Sequence, residues 1–271
     1  MAEIKIGDIS VGVGNKMVFM GGPCVIESRE HALEIAKSIK SITDELGVGF
    51  VFKASFDKAN RTSGESYRGP GIEEGMKILL EIRESLDVPV MTDFHAAEQI
   101  EVYGDKVDIV QIPAFLCRQT DLILAAGKTG KVVNIKKGQF LAPEQVGPIL
   151  EKIKSTGNEK VMITERGYSF GYEDLVVDMR NFEIWKESDA LVCFDASHST
   201  QKPGALGGVS GGDRRFIPTL ARSAVAAGID VLFMEVHDNP EQALSDAATQ
   251  FPLSELKSLL DQLMKIDACI K

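Results

Sequence analysis

The chain has 271 residues, 44% hydrophobic and 26% charged, a length and balance that suit one large buried core and exclude disordered or fibrous classes. Its 40 acidic residues outweigh 30 basic ones for a formal net charge of −10, which argues against nucleic acid or an anionic membrane as partner; a bound anion must meet a local cluster of Lys and Arg. Cys24, Cys117, Cys193 and Cys269 lie far apart without C-x-x-C spacing, and no apolar run approaches the roughly 18 residues of a membrane span, so a cytoplasmic protein with reduced thiols is expected.

The first predicted element is a β-hairpin within residues 1–14, where apolar and polar residues alternate on both sides of Gly7-Asp8. It is expected to plug one end of the main body of the fold. Eight short apolar runs come next, at 17–21, 49–54, 88–92, 107–112, 131–135, 160–165, 191–195 and 230–235. Stretches such as R-E-H-A-L-E-I-A-K-S-I-K-S-I-T-D-E-L between them carry apolar residues at helical spacing. Alternating strands and helices imply a parallel sheet, and eight repeats fit closure into a (β/α)8 barrel spanning 1–271 as a single domain. An open doubly wound sheet is the alternative, but G-G-P-C after the first run lacks the G-x-G-x-x-G of that fold. The Gly-rich stretch Pro203 to Gly212, between the seventh strand and its helix, is expected to act as a mobile lid.

Active sites of such barrels lie at the C-terminal ends of the strands. Here every strand end carries a polar residue: Cys24, Lys53, Asp93, Gln111, Lys136, Glu165 with Arg166, Asp195 with His198, and Glu235. Single polar residues at strand ends are often caps, but a complete set around the ring points to a site. Closure makes the seventh, eighth and first strands neighbours, so Cys24, His198 and Glu235 can converge, with Asp246 in the loop after the eighth strand. One thiolate, one imidazole and two carboxylates suit one Fe2+, Zn2+ or Mn2+ ion better than Ca2+ or Mg2+. His95 and His237 are competing histidines and rank below His198. Cys24 alone would more often be a core residue than a ligand.

On the other arc, Lys53, Lys58, Lys136 and Arg166 face the same mouth, with Gln111 between them. Cations gathered in one cavity repel unless an anion is expected, so a ligand with carboxylate and phosphate is the natural occupant. Asn60, Arg61, Thr62 and Ser63 add donors for a second phosphate or for sugar hydroxyls.

The segments G-G-P-C-V-I-E-S, F-K-A-S-F-D-K-A-N-R-T-S, Q-I-P-A-F-L-C-R-Q-T-D-L, N-I-K-K-G-Q-F-L-A-P, T-E-R-G, D-A-S-H-S and S-D-A-A-T-Q closely resemble the 3-deoxy-D-manno-octulosonate 8-phosphate synthase family, from about residue 17 onward. T-E-R-G and the G-P-C start are shared more widely with the related 3-deoxy-arabino-heptulosonate 7-phosphate synthases. The resemblance implies a transferase that condenses phosphoenolpyruvate with D-arabinose 5-phosphate and water, releasing phosphate, on the route to the Kdo sugar of lipopolysaccharide. Cys24 and S-D-A-A-T-Q resemble its metal-dependent branch, which implies Cys24, His198, Glu235 and Asp246 as ligands. By the same resemblance Lys53, Lys58, Gln111, Lys136, Arg166 and His198 would hold phosphoenolpyruvate, and Asn60, Arg61, Thr62, Ser63 and Asp93 the sugar phosphate. Lys58, Asp93, Lys136 and His198 are the candidates for the chemical step. Arg118 matches an arginine that reaches a neighbouring subunit's sugar phosphate, and the family implies a homotetramer.

Two rivals stand beside this expectation. A heptulosonate phosphate synthase would use erythrose 4-phosphate, and K-A-N-R-T-S stands where that family usually has a K-P-R segment. A non-catalytic, metal-bound sugar-phosphate sensor on the same scaffold is the other.

Overall fold

A computed structural model describes residues 3–61, 63–202 and 211–271. Strands β1 (Ile4–Ile6) and β2 (Ile9–Val11) form the expected hairpin, turning at Gly7, whose φ of 57° lies in the left-handed region open to glycine. The barrel then runs β3 (Val18–Gly22), α1 (Arg29–Leu46), β4 (Phe50–Lys53), α2 (Ile72–Leu86), β5 (Val90–Asp93), α3 (Ala97–Tyr103), β6 (Ile109–Ile112) and α4 (Thr120–Lys128). It continues through β7 (Val132–Lys136), α5 (Gly147–Lys154), β8 (Val161–Glu165), a small antiparallel pair β9 (Tyr168–Phe170) and β10 (Asp174–Val176), α6 (Arg180–Lys186) and β11 (Leu191–Asp195). After β11 come the antiparallel pair β12 (Gln201–Lys202) and β13 (Gly211–Gly212), then α7 (Ile217–Ala226), β14 (Val231–His237), β15 (Phe251–Pro252) and α8 (Leu253–Ile270).

Strands β3, β4, β5, β6, β7, β8 and β11 pair in parallel with their successors, and β14 pairs with both β11 and β3, which closes the ring. Closure excludes the doubly wound alternative. Of the expected lid, Gly211 and Gly212 form β13, and residues 203–210 lie outside the described residues.

Every barrel strand is buried on both faces, yet the two faces differ, because alternate side chains point in and out. In β7, Val133 and Ile135 pack outward against the helices, whereas Val132 belongs to the inner cluster. The inner face changes character along the axis: Val132, Asn134, Lys136 in β7; Leu191, Cys193, Asp195 in β11; Val231, Phe233, Glu235 in β14. Each inner row begins apolar and ends charged. Ile4, Ile6 and Val11 of the hairpin join Val18, Ile109 and Val132 at the apolar end, so the hairpin plugs the N-terminal mouth of the barrel. Burying such side chains contributes about 1.5–3 kcal/mol each. The charged end is left open for chemistry.

Helix α1 shows how the outer layer is specified. Ser28 caps it by accepting from the backbone N–H of His31 at 3.1 Å, Gly47 ends it at φ 63°, and Ala32, Ile35, Ala36 and Ile39 bury one face. Among the described residues, no helix is long and apolar enough to cross a membrane.

Candidate active site

Gly22 ends β3 so close to β4 that a Cβ there would collide with the carbonyl oxygen of Lys53. The turn it allows carries Cys24, fully buried, against the loop after β14. Cys24 Sγ lies 3.1 Å from Ser245 Oγ and 3.4 Å from Asp246 Oδ2. The backbone N–H of Cys24 donates to Gln250 Oε1 at 3.3 Å, and Gln250 Nε2 donates to the carbonyl of Ser245 at 2.9 Å. Asp246 has φ 51°, a left-handed conformation costly for a residue with a side chain, and its carbonyl accepts from Thr249 N at 2.9 Å. The loop is thus folded to aim one carboxylate at one thiol.

Ligand atoms of Cys24, Glu235 and Asp246 all lie within 4.8 Å of one another. His198 stands beside this group, with Nε2 at 3.6 Å from Glu235 Oε1 and 3.6 Å from Asp246 Oδ2. Its orientation is fixed from behind: Nδ1 sits 2.7 Å from Asp195 Oδ2, and its backbone N–H donates to Asp195 Oδ1 at 2.9 Å. Burial pushes the Asp195 carboxyl up, but the charges of His198 and Lys136 outweigh that and hold it well below the usual carboxylate range. Burial, reinforced by the negative charges of Asp246 and Glu235, pushes the Cys24 thiol up. Glu235 is fully buried, and neither carboxylate oxygen has a hydrogen-bond partner among the described residues. A buried, unsatisfied carboxylate beside a thiol, an imidazole and a second carboxylate fits a divalent ion of intermediate softness.

The cations stand across the same opening. Lys53 Nζ donates to Ser55 Oγ at 2.9 Å and lies 3.4 Å from Asp93 Oδ1, while Lys58 Nζ lies 3.8 Å from Glu235 Oε1. Lys136 Nζ is 2.7 Å from Asp195 Oδ2 and 3.4 Å from His198 Nδ1. Arg166 Nη2 donates to Gln201 Oε1 at 2.5 Å and to the carbonyl of His198 at 3.3 Å. Phe233 forms the floor, with Lys136 Nζ 4.4 Å and Lys53 Nζ 5.6 Å from its ring centre. Burial lowers the proton affinity of Lys53, with repulsion from Lys58 adding to it. Burial also works against the Lys58 ammonium, but Cys24, Glu235, Asp93 and Asp246 outweigh it and raise its proton affinity. Asp93, opposed by burial, is held well below its ordinary range by Lys53 and by the His95 contact of 3.1 Å.

Other expected site residues are placed less centrally. Gln111 lies one layer deeper, its Oε1 accepting from Asn134 Nδ2 at 3.1 Å. Arg61 reaches the loop after β14, donating to Ser245 Oγ at 2.5 Å and to the carbonyl of Leu244 at 3.2 Å. Asn60 is exposed, Ser63 is half-buried and Thr62 lies outside the described residues. Arg118 is exposed in the loop after β6. Glu165 departs from the strand-end pattern: it has the outward parity of Ile163, accepts from Gly167 N at 2.6 Å and Asn181 Nδ2 at 2.6 Å, and lies 3.5 Å from Lys137. Its neighbour Arg166 alone serves the mouth. Sequence reasoning placed Asp195 beside His198 at the end of the seventh strand but gave it no role of its own; its place three residues before His198 is the signal for that role. Ser55, Ser245 and Gln250 lie within the segments F-K-A-S-F-D-K and S-D-A-A-T-Q, but no spacing to another site residue singles them out.

A (β/α)8 barrel with a group of side chains that could hold a metal ion beside a cluster of Lys and Arg defines a class: a barrel protein with a charged site at its C-terminal mouth. The chain matches the DAHP synthetase I family over residues 1–271 and belongs to it. It is similar to the 2-dehydro-3-deoxyphosphooctonate aldolase of Syntrophotalea carbinolica, 51% identical over 268 residues covering 99% of this chain and 97% of the relative. Proteins of the same name from Desulfatibacillum aliphaticivorans (52% over 259 residues, 96% and 95% coverage) and Stenotrophomonas maltophilia (50% over 268 residues, 99% and 97%) are similar to it as well. These relatives bear out the resemblance read from the motifs.

Proposed function

We propose that this protein condenses phosphoenolpyruvate with D-arabinose 5-phosphate and water to give 3-deoxy-D-manno-octulosonate 8-phosphate and phosphate, the sugar serving lipopolysaccharide synthesis in the cytoplasm. One observation carries this function: the ion-ligand set and the cationic pocket adjoin, linked by the Lys58–Glu235 pair at 3.8 Å. Such a site can hold a phosphorylated carboxylate against an aldehyde. The name of the relatives selects the octonate reaction within a family whose description covers the heptulosonate one. K-A-N-R-T-S favours the same choice.

Lys53, Lys58, Lys136 and Arg166 meet the carboxylate and phosphate of phosphoenolpyruvate, with Phe233 beneath and Gln111 supporting from the layer below. Asp195 gives Lys136 its counter-charge and turns the His198 ring, so Nε2 faces the reacting mouth. Asn60, Arg61, Thr62, Ser63 and Asp93 bind the sugar phosphate, with Arg118 contributed by a neighbouring subunit of a homotetramer. Cys24, His198, Glu235 and Asp246 hold one divalent ion, Fe2+, Zn2+ or Mn2+. When bound, it supplies positive charge that polarises and orients the aldehyde.

C3 of the enol then attacks the aldehyde carbon, and the aldehyde oxygen takes up a proton. Positive character at C2 is captured by water, which loses a proton to give a hemiketal, and cleavage of the C2–O bond releases phosphate. The chain's contribution is positioning and charge stabilisation, for which well-oriented groups supply about 7–11 kcal/mol and one well-aimed donor about 3–4 kcal/mol. Phosphate release that requires both substrates and matches the octulosonate phosphate formed supports the function. Turnover lost on chelation and restored by the ion supports the metal requirement; full turnover after chelation overturns it.

A further inference from the structure

A second group of metal-ligating side chains stands at the rim, and the proposed condensation does not use it. Ligand atoms of Glu27, His31 and His237 lie within 4.8 Å of one another. His237 comes two residues after Glu235 on β14, on the same face of the strand and about 6.6 Å further along it. Its side chain is only 5% exposed, with 16% for Glu27 and 18% for His31.

The two imidazoles lie 4.6 Å apart between ring centres and share one oxygen of Asp238: His31 Nε2 is 3.1 Å from Oδ1 and His237 Nδ1 is 3.0 Å from the same atom. Their other nitrogens, His31 Nδ1 and His237 Nε2, are buried and have no hydrogen-bond partner among the described residues. Glu27 Oε1 lies 3.3 Å from His237 Nε2. A carboxylate behind each ring, with the front nitrogens unsatisfied and a second carboxylate between them, is how proteins orient histidines toward a metal.

We propose that Glu27, His31 and His237 bind a second divalent transition-metal ion, distinct from that of the Cys24 site. Two imidazoles and one carboxylate select Zn2+, Co2+, Ni2+ or Cu2+ over Mg2+ and Ca2+. The Asn239 amide also points at His237 Nδ1, at 2.9 Å, and favours the tautomer with the proton on Nε2. Ion binding at Nε2 moves that proton to Nδ1, which then donates to Asp238 Oδ1 and no longer accepts from the Asn239 amide. Glu27 Oε1 also accepts from Leu244 N at 2.8 Å, immediately before Ser245 and Asp246, so an ion here braces the loop that carries Asp246.

The test strips the full-length protein with a chelator, reloads it with Co2+, removes unbound ion by gel filtration, and measures cobalt per chain together with the near-ultraviolet sulfur-to-cobalt band. His31→Ala is expected to hold one ion fewer per chain than the unaltered protein while keeping that band, since Cys24 is untouched. Glu27→Gln, which keeps an acceptor for the Leu244 amide and hence the fold, is expected to show the same loss. Equal cobalt in the unaltered protein and the variants overturns the proposal. So does a loss that takes the sulfur band with it, which would place the missing ion at Cys24.

Discussion

His198 Nδ1 lies 2.7 Å from Asp195 Oδ2, which leaves Nε2 as the nitrogen that faces Glu235 and Asp246. An imidazole held this way has its ring orientation and tautomer fixed and presents one nitrogen as a ligand. Asp195→Asn removes the charge and can offer an amide N–H to Nδ1, which favours the wrong tautomer. We expect about 10–100-fold weaker metal affinity in this variant. Competition with a chromophoric chelator measures it, and unchanged affinity would show that Asp195 does not orient the ligand.

Lys53 is buried against Asp93, with Ser55 between them: Lys53 Nζ donates to Ser55 Oγ at 2.9 Å and Ser55 Oγ donates to Asp93 Oδ1 at 2.5 Å. Lys53→Met leaves a buried carboxylate without its main counter-charge. Removing one partner of such a pair costs about 3–5 kcal/mol, far more than an exposed pair. Urea unfolding reads the loss directly; a change within 0.5 kcal/mol, on the order of an ordinary surface substitution, would contradict it.

The hairpin plug separates stability from chemistry. Ile6 is 2% exposed and packs at the opposite end of the barrel from the charged layer. Ile6→Ala is expected to cost about 2–4 kcal/mol while leaving KM for both substrates unchanged. A large rise in KM at full folding would mean that the plug shapes the mouth.

Asp230, just before β14, accepts from Val192 N at 2.8 Å, but burial pushes its carboxyl above the ordinary value of 3.8. A raised folded-state pKa means the folded protein binds this proton more tightly than the unfolded chain. The contribution to stability is therefore fully present below the unfolded value and is lost as pH rises through the folded one. Asp230→Asn keeps an acceptor oxygen and cannot ionise. We expect the Tm of the unaltered protein to fall relative to the variant as pH rises from about 4 toward neutrality; a difference independent of pH would show that the carboxyl is not raised.

Much of this was legible in the sequence because a parallel barrel writes its order along the chain. The eight apolar runs each became a barrel strand, and the alternation around Gly7 became the hairpin. Cys24, Glu235 and Asp246 came together, with His198 beside the two carboxylates, because ring closure makes the seventh, eighth and first strands neighbours. Side-chain parity was harder to read. Glu165 closes an apolar run as Lys136 does, yet it points outward, since a strand end one residue longer turns its last side chain to the other face. Pairings between distant elements left no local trace: His31, in the first turn of α1, and Asp238, in the loop after β14, are 207 positions apart and meet only through the fold.

The most direct measurement is phosphate release from phosphoenolpyruvate with D-arabinose 5-phosphate or D-erythrose 4-phosphate as acceptor, on the same metal-loaded preparation. Efficient release with the five-carbon sugar and little with the four-carbon one is expected. The opposite preference, or no release with either, would contradict the proposed function.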